Sequence, residues 1–423
     1  MAGTSFSRLS TANTYDNALR NLQNKQTSLA NLQENLTSGK RVVVASDDPT
    51  GAAQAERALT RLSRITSDQR ALEMQRNSIA SAESTLGDAV DALQNIRELV
   101  VSAGNGAYSA SERRAIALQI SGLRDQVISL ANRNDSNGLP LFSALGSALA
   151  PFVGPQAPPQ DYTFNGLPGQ TASSEVAIPF ALDGDRAFMH QPARDGVYNV
   201  TVSNSITGSI PSSRTLQTGN VTIANSALVN GSAYTINVTG VDTVTVPGTT
   251  TVTYNIAETP NVGGPYTALT SSFSTAQQGP MTVTGMPGLS LTIKGTPAVG
   301  DTIQVDTSAS VFSVLDDAIN DIGNAANGNA ASQAVSQALH NIDIGMERLS
   351  AVRGQAGDLL NRADRITSSQ EKRSVQLEAD RSRAEDLDMI KGVSDFQNQQ
   401  TGYQAALQSY AQVQKLSLFN YIS

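Results

Sequence analysis

Two residue types that often perform nucleophilic, acid–base or metal chemistry, cysteine and histidine, are absent or rare in this 423-residue chain. Cysteine is absent, which excludes disulfides, thiolate metal sites and cysteine nucleophiles. The two histidines, His190 and His340, do not stand in a metal-ligand spacing. His190 precedes the sequence QPARDG, and we interpret it as a surface or loop residue. These residues indicate no cysteine- or histidine-based site, and we expect no cofactor.

Two close pairs of carboxylates, Asp47 with Asp48 and Asp183 with Asp185, raise the question of a metal site. Adjacent residues seldom both face one ion, and neither pair has the further oxygen ligands that calcium requires. Asp48 precedes Pro49, and this order favours a helix start, because the carboxylate accepts hydrogen bonds from free backbone N–H groups. We therefore predict that Asp48 caps a helix beginning at Pro49.

Charge and hydropathy narrow the function classes further. The formal net charge of −8 and the lack of a run rich in Lys and Arg argue against a nucleic-acid partner. No apolar run approaches the length of a membrane span, so membrane insertion is not expected. The sequence also begins without the apolar segment of a cleaved signal peptide. These features alone predict a cytosolic protein of two or three domains.

Long helices are predicted towards both ends of the chain, because apolar residues recur there at steps of three and four. In the first stretch, Gln26 and Gln33 fill two positions of a stripe made of Tyr15, Leu19, Leu22, Leu29 and Leu36. The last stretch carries a stripe made of Met389, Val393, Phe396, Tyr403, Leu407 and Tyr410. Such heptad-like spacing is typical of long helices that pack at shallow angles.

The middle of the sequence has a different character. Thr and Val alternate there between frequent prolines and glycines, which predicts short antiparallel strands. The predicted fold class is α+β: long heptad-patterned helices from both chain ends form a coiled-coil-like bundle or rod, and an all-β domain is inserted between them. The predicted domains are an N-terminal inner helical segment (1–40), a helical rod in two parts (41–139 and 310–384), a β-rich outer domain (140–309) and a C-terminal inner helical segment (385–423).

The stripes at the two ends are narrower and more polar than the inner ones. A helix of this kind is marginal in water by itself, because most helical stability comes from packing. Two interpretations stay open at this point. Either the segments 14–36 and 387–418 are poorly ordered in a monomer and need neighbouring subunits, or they pair with each other.

Three consecutive valines, Val42, Val43 and Val44, separate the first stripe from the helix start at Asp48. Their β-branched side chains are stiff at χ1 and favour an extended backbone over a helix interior. We therefore predict a short extended link between two helices.

The sequence around this link, LTSGKRVVVASDDPTGAAQAERAL, resembles the N-terminal signature of the flagellin superfamily. The final segment, SDFQNQQTGYQAALQSYAQVQKLSLFNYIS, resembles the ending of the hook-associated protein 3 family, the hook–filament junction proteins of bacterial flagella. The segments STANTYDNALRNLQ, GTPAVGDTIQV and VRGQAGDLLNRAD are similar to the same family. The resemblance covers both helical blocks, whereas residues 199–279 carry no motif that matches.

This resemblance implies an extracellular structural subunit at the hook–filament junction, exported unfolded by the flagellar type III apparatus without a cleaved signal peptide. It therefore replaces the cytosolic prediction. It also implies self-association into a short tubular layer through the two end stripes, with another hook-associated junction protein and flagellin as neighbours and an export chaperone. Within that layer, Val42, Val43 and Val44, with the helix start at Asp48 and Pro49, would join an inner helical layer to an outer rod.

Three alternatives compete with this interpretation. A filament flagellin has the same architecture but is expected to end in a different, Gln- and Ala-rich pattern. An enzyme domain in the insertion would need an HExxH-like pair or a carboxylate cluster, and His190 is the single histidine there. An extracellular coiled-coil adhesin or signalling protein would need a membrane span or a cell-wall anchor.

Overall fold

In the computed structural model, long helices precede and follow a strand-rich middle along the chain, which confirms the predicted α+β class. The structure describes residues 5–156, 161–211, 213–259, 269–274 and 280–422; the side chains of residues 5–15, 273–274 and 413–422 are outside this description. The chain divides into two compact units. The end unit comprises Met1–Arg70 and Thr367–Ser423, and the central unit comprises Ala71–Ile366. The domain boundaries predicted from composition stay predictions.

The helices are α1 (Ser5–Ser38), α2 (Pro49–Ala103), α3 (Ala110–Ala131), α4 (Gly184–Phe188), α5 (Pro192–Asp195), α6 (Val311–Gly323), α7 (Gly328–Glu385) and α8 (Met389–Ile422). Local chemistry explains where several of them begin. At the start of α3, the Ser109 side chain accepts from the Glu112 N–H at 3.3 Å, and the Glu112 carboxylate accepts from the Ser109 N–H at 2.6 Å. This capping box satisfies two backbone donors that a helix start otherwise leaves free.

The strands are β1 (Phe152–Val153), β2 (Thr163–Phe164), β3 (Tyr198–Asn204), β4 (Leu216–Thr218), β5 (Thr222–Ile223), β6 (Ala233–Asp242), β7 (Thr249–Thr259), β8 (Leu269–Ser274), β9 (Met281–Val283), β10 (Leu289–Gly295) and β11 (Asp301–Thr307). They form a five-stranded sheet in the order β3-β11-β6-β7-β8, a second sheet in which β10 pairs with β4, β5 and β9, and the hairpin β1-β2. Every one of these pairings is antiparallel, as predicted.

The helical core of the central unit lies along α2. Its deepest residues on that helix repeat every seven positions and are almost completely inaccessible: Leu72, Ile79, Leu86, Leu93 and Val100. Residues of α3, α6 and α7 complete the same cluster. Ion pairs between Arg76 and Asp364 and between Arg97 and Asp343 show that α2 and α7 run antiparallel here. Burial on this scale is the main favourable contribution to folding.

The strands have a core of their own, which includes Tyr198, Tyr234, Tyr254, Leu291 and Val305. Polar side chains of α7 join this core to the helices. The amides of Gln337 and Asn341 each donate to the Tyr198 carbonyl at 2.9 Å, and Gln333 accepts from the Thr218 N–H at 2.9 Å. The two apolar clusters of the central unit are therefore separated by a hydrogen-bonded seam.

Candidate assembly surface

Helices α1 and α8 pack against each other within the end unit. A Cβ placed on Gly392 would lie 3.2 Å from Leu36 Cδ2, and one placed on Gly402 would lie 3.4 Å from Lys25 Nζ. Because the partner on α1 moves backwards along the chain as α8 advances, the two helices are antiparallel. Of the two interpretations of the chain ends, the structure describes the one in which they pair.

The stripe of α1 that α8 covers differs by one position from the predicted stripe. Partly buried side chains recur at steps of three and four; they are Ala18, Leu22, Lys25, Leu29, Leu32 and Leu36, with Asn35 next to the last of them. Leu22, Leu29 and Leu36 therefore lie on the covered side, whereas Leu19 is 39% exposed and shares its face with the exposed Gln26 and Gln33. In the single chain the covered stripe thus contains Ala18 and Leu32 instead of Leu19, and the assembly role of the predicted stripe stays a prediction. The Tyr15 side chain lies outside the described residues.

The predicted stripe of α8 also divides into a covered and an open part. Phe396, Tyr403 and Tyr410 are half-buried. The remaining members are exposed: Met389, Val393 and Leu407. Ile390, which the sequence reasoning missed, is 88% exposed. The α1/α8 pair therefore presents large apolar side chains to solvent near the start of α8 and again at Leu407 and Leu19, and we call Leu19, Met389, Ile390, Val393 and Leu407 the open stripe.

The link between α1 and α2 forms no strand: the chain bends at Val43 and Val44 and turns at residues 45–47, so an extended backbone through all three valines is not found. The Asp47 carboxylate accepts from the N–H groups of Val43 at 3.1 Å and of Val44 at 3.0 Å, and the Asp47 N–H donates to the Val44 carbonyl at 3.0 Å. A side chain that hydrogen-bonds backbone donors a few residues away favours a turn over extended structure. Val42 is buried, while Val43 and Val44 are exposed.

Asp48 caps α2 as predicted, and the helix begins at Pro49. Its Oδ1 accepts from the N–H of Gly51 at 3.0 Å and of Thr50 at 3.2 Å. Its Oδ2 accepts from Arg41 Nη2 at 3.1 Å. These hydrogen bonds, with that to Gly51 contributing most, lower the pKa of the Asp48 carboxyl to about 2. The carboxylate therefore stays ionised and keeps its capping role at any ordinary pH.

A second link, between α7 and α8, lies beside the first. The N–H groups of Arg41 and Val42 donate to the Glu385 carbonyl at 2.7 and 3.3 Å, and the Leu387 N–H donates to the Gly39 carbonyl at 2.9 Å. Gly39 has a φ of +70°, which a residue with a side chain rarely adopts. We call residues 39–48 and 385–388 the double link.

Two acidic residues of the double link escaped the sequence analysis. Asp388 caps α8, because its Oδ1 accepts from the N–H groups of Ile390 at 3.1 Å and Lys391 at 3.2 Å. Glu385 forms an ion pair with Lys40. The signal for Asp388 was present, since an aspartate directly before an apolar stripe is a helix-start pattern. The partner of Glu385 could not be read from sequence, because Lys40 lies on the other link.

The remaining candidates for chemistry have structural roles. Asp183 caps α4 through the Arg186 N–H at 3.3 Å. Among the described residues, no group of three or more His, Asp or Glu side chains is placed to hold a metal ion. Of the two alternatives for His190, surface or loop, the structure shows the loop: the residue lies outside helices and strands but is buried. Loss of hydration lowers its pKa to about 4, which leaves the imidazole neutral.

Within the described part of the chain, no helix combines the length and the apolar character needed to cross a membrane.

Two family models match the chain: the bacterial flagellin N-terminal helical region at residues 9–146 and the bacterial flagellin C-terminal helical region at residues 339–422. The flagellar hook-associated protein 3 of Escherichia coli (strain K12) is 30% identical over 207 residues, which are 47% of this chain and 59% of that protein. The Salmonella typhimurium protein of the same name is 29% identical over equal coverage. The chain thus spans less than two thirds of the length of these curated relatives.

A filament protein and two solved structures are also similar. The flagellar filament 33 kDa core protein of Treponema phagedenis is 32% identical over 126 residues, covering 30% of this chain and 44% of that protein. The crystal structure of Xanthomonas campestris FlgL aligns with a TM-score of 0.56 at 23% identity, covering 77% of this chain and 98% of that one. Flagellar hook associated protein-3 from Legionella pneumophila aligns with a TM-score of 0.59 at 22% identity, covering 77% and 97%. At these identities the structural matches establish the fold.

Proposed function

This chain belongs to the flagellin superfamily, whose members are structural components of flagella, and we propose that it serves as the hook-associated junction protein between hook and filament. The relatives named flagellar hook-associated protein 3 match over 207 residues and so support this assignment. We further propose that the protein catalyses no reaction. Its function is then association with itself and with the neighbouring layers of the flagellum.

One observation carries the proposal: the open stripe of the α1/α8 pair. Ile390, Val393 and Leu407 are large apolar side chains that face solvent in the isolated chain. Covering such surface gains about 25 cal/mol per Å² of apolar area. A contact in which one copy uses a different surface from its neighbour continues from copy to copy and forms a ring or a helical turn. The predicted stripes of α1 and α8, together with the open stripe, are therefore the proposed surface of self-association.

We propose that the double link joins the inner helices of the assembled tube to an outer helical part. A continuous helix could not step between two concentric layers. The supporting feature is that the link around Val42, Val43 and Val44 and the link after Glu385 are hydrogen-bonded to each other. The Asp48 cap and Pro49 then restart the helix at a defined angle. Two segments bonded to each other give this crossing a rigidity that a single segment lacks.

The proposed location is outside the cell, at the junction between hook and filament. Export would proceed through the flagellar type III apparatus in an unfolded state, with an export chaperone and without cleavage of a signal peptide. The absence of cysteine is compatible with this route, because no disulfide can form before or during threading. The proposed neighbours are a second hook-associated junction protein on the hook side and flagellin on the filament side.

Filament flagellin is the second candidate, because filament core proteins also match the chain. Electron microscopy of a strain lacking the gene separates the two. The junction role predicts hooks without filaments and flagellin released into the medium, and both defects should be reversed by the intact gene. Normal filaments in the deletion strain would contradict both candidates. Loss of filaments without released flagellin would favour filament flagellin.

A further inference from the structure

Part of the end unit consists of the first turns of α2 packed against the last turns of α7. Ala55, Ala58 and Ile65 of α2 and Leu377 of α7 are buried at the seam between the two helices. A pair of helices has two outer grooves, one on each side of its seam. Here the grooves differ in chemistry, because one is lined by Arg57, Arg61 and Arg383 with the single carboxylate Asp380, and the other by Leu62, Val375, Glu378 and Asp386.

The arginine side extends beyond its groove along α2. Arg57, Arg61 and Arg64 stand at i, i+4 and i+7 of α2, so they share one face, and all three are exposed. None of the three has an ion-pair partner among the described residues, whereas Arg383 pairs with Asp380 beside it. These three arginines therefore form a locally positive face on a chain whose formal net charge is −8.

The carboxylate side has the opposite charge and is partly apolar. Glu371, Val375 and Glu378 stand at i, i+4 and i+7 of α7, so they also share one face. Val375 is 70% exposed, and Leu59 of α2 is exposed as well. The Glu378 carboxylate is held by Arg381 at 2.7 Å, while Glu371 has no ion-pair partner among the described residues.

We propose that these two sides are complementary halves of a lateral contact between neighbouring copies of this chain, the arginine side of one copy lying against the carboxylate side of the next. The occupant of each groove is thus a second copy. Opposite charges on the two sides of one helix pair make the contact heterologous, so it continues around a ring instead of closing a dimer. The aliphatic stems of the arginines cover the exposed Val375 and Leu59, while their charged groups reach the carboxylates.

The inference rests on the proposed function, since it assumes that copies assemble side by side. It goes further by placing a contact on α2 and α7, outside the open stripe. Charge complementarity mainly sets partner choice and association rate. This contact therefore selects which side of a neighbour is accepted, while burial of the open stripe supplies the larger part of the affinity.

Cross-linking between two single-cysteine variants tests the contact directly, because the natural chain contains no cysteine to confuse the result. Arg61→Cys and Glu378→Cys, carrying tags of different mass, are produced together in flagellated cells, and isolated flagella are treated with a short bis-maleimide. We expect mixed cross-linked dimers of the two tagged chains. Each variant alone should give none, because the contact joins unlike sides. A matched control pairs Arg61→Cys with Val244→Cys, whose position is exposed in the β region.

The expected yield of mixed dimers is roughly tenfold above the control pair, since residues held side by side react at a high effective concentration. Equal yields from the test and control pairs, or dimers of Arg61→Cys with itself, would overturn the contact. If intact filaments form on these cells while the mixed dimer is absent, the junction role stands and this inference fails. If filaments do not depend on the gene at all, the junction role has failed instead.

Charge reversal gives an independent check on the same surfaces. Replacing Arg57 and Arg61 by Glu, or Glu371 and Glu378 by Arg, should each reduce the number of filaments per cell. Combining all four changes should restore it, because the charges are then exchanged between the two sides. Failure of the combined variant to recover, when its purified form is folded, would contradict the proposal.

Discussion

The end unit and the central unit contain similar helices that are buried to very different extents. In the central unit, Leu86 and Leu93 of the α2 repeat are completely buried. In the end unit, Leu22 and Leu29 are half-buried and Leu407 is 42% exposed. The central stripe is enclosed by α3, α6 and α7, whereas the stripes of α1 and α8 are covered mainly by each other. Stripes with the same seven-residue spacing are thus completely buried in the central unit and only partly buried in the end unit.

This difference indicates where each unit obtains its stability. The central unit buries its apolar surface within one chain and so carries its own driving force for folding. The α1/α8 pair leaves much of its apolar surface in water, and two helices of this polarity gain little from pairing alone. On the proposed function, neighbouring copies bury this exposed apolar surface of the α1/α8 pair.

The largest effect is expected from a matched pair of truncations that compares the two units. Leu86→Ala removes a completely buried side chain and should lower the free energy of unfolding of the purified monomer by about 2–5 kcal/mol. Leu407→Ala removes the same atoms from the open stripe and should change it by less than about 0.5 kcal/mol. Denaturant unfolding measures both. Similar losses for the two variants would contradict the contrast between the units.

A smaller effect, confined to the central unit, is expected from Asp317 on α6. Its carboxyl accepts from Ser308 Oγ at 2.8 Å, and burial, aided by nearby carboxylates such as Asp321, raises its pKa from 3.8 to about 7. Because the folded state binds this proton more tightly than the unfolded state, the contribution of Asp317 to stability falls as pH rises from about 4 to about 7.

Asp317→Asn removes this titration while keeping an acceptor for Ser308. The variant should exceed the natural protein in stability at pH 8 by no more than about 4 kcal/mol, and the difference should shrink towards pH 4. Thermal unfolding of the variant and of the natural protein, measured across this pH range, gives the contribution of the Asp317 ionisation to stability. A difference that stays constant with pH would show that Asp317 does not titrate there.

The smallest effect is expected at the double link. Asp48→Ala removes the acceptor for the Thr50 and Gly51 N–H groups and the partner of Arg41. It should fray the first turn of α2 and make the double link more accessible to proteases, with little change in the melting temperature of the central unit. Limited proteolysis checks this, with Asp47→Ala as the comparison for the turn. Unchanged cleavage near the link in both variants would mean that these carboxylates do not hold it.

The sequence predicted features that depend on neighbours along the chain. The long helices towards both ends of the chain, the antiparallel strands of the Thr- and Val-rich middle and the Asp48 cap all follow from local pattern, and all were found. Each is determined by residues within a few turns or within one strand. Local chemistry was therefore enough to identify the elements.

What the sequence missed depends on contacts between distant residues or on a single side chain. Leu19 and Ala18 are adjacent candidates for one stripe, and the position of α8 decides between them. The three valines favour extended backbone by propensity, but the chain bends at Val43 and Val44, whose N–H groups donate to the Asp47 carboxylate. His190 is buried because the chain returns beside it, its N–H donating to the Ala309 carbonyl at 2.8 Å.

The central claim is that the open stripe belongs to contacts between copies and contributes little within one copy. Its most direct test is the double variant Val393→Asp with Leu407→Asp, studied both as a purified monomer and in flagellated cells. Buried in an assembled tube, each unpaired charge would cost several kcal/mol, whereas in the monomer both side chains already face water. The account predicts an unchanged melting temperature, normal export and hooks without filaments. A melting temperature lowered by many degrees, or normal filaments, would contradict it.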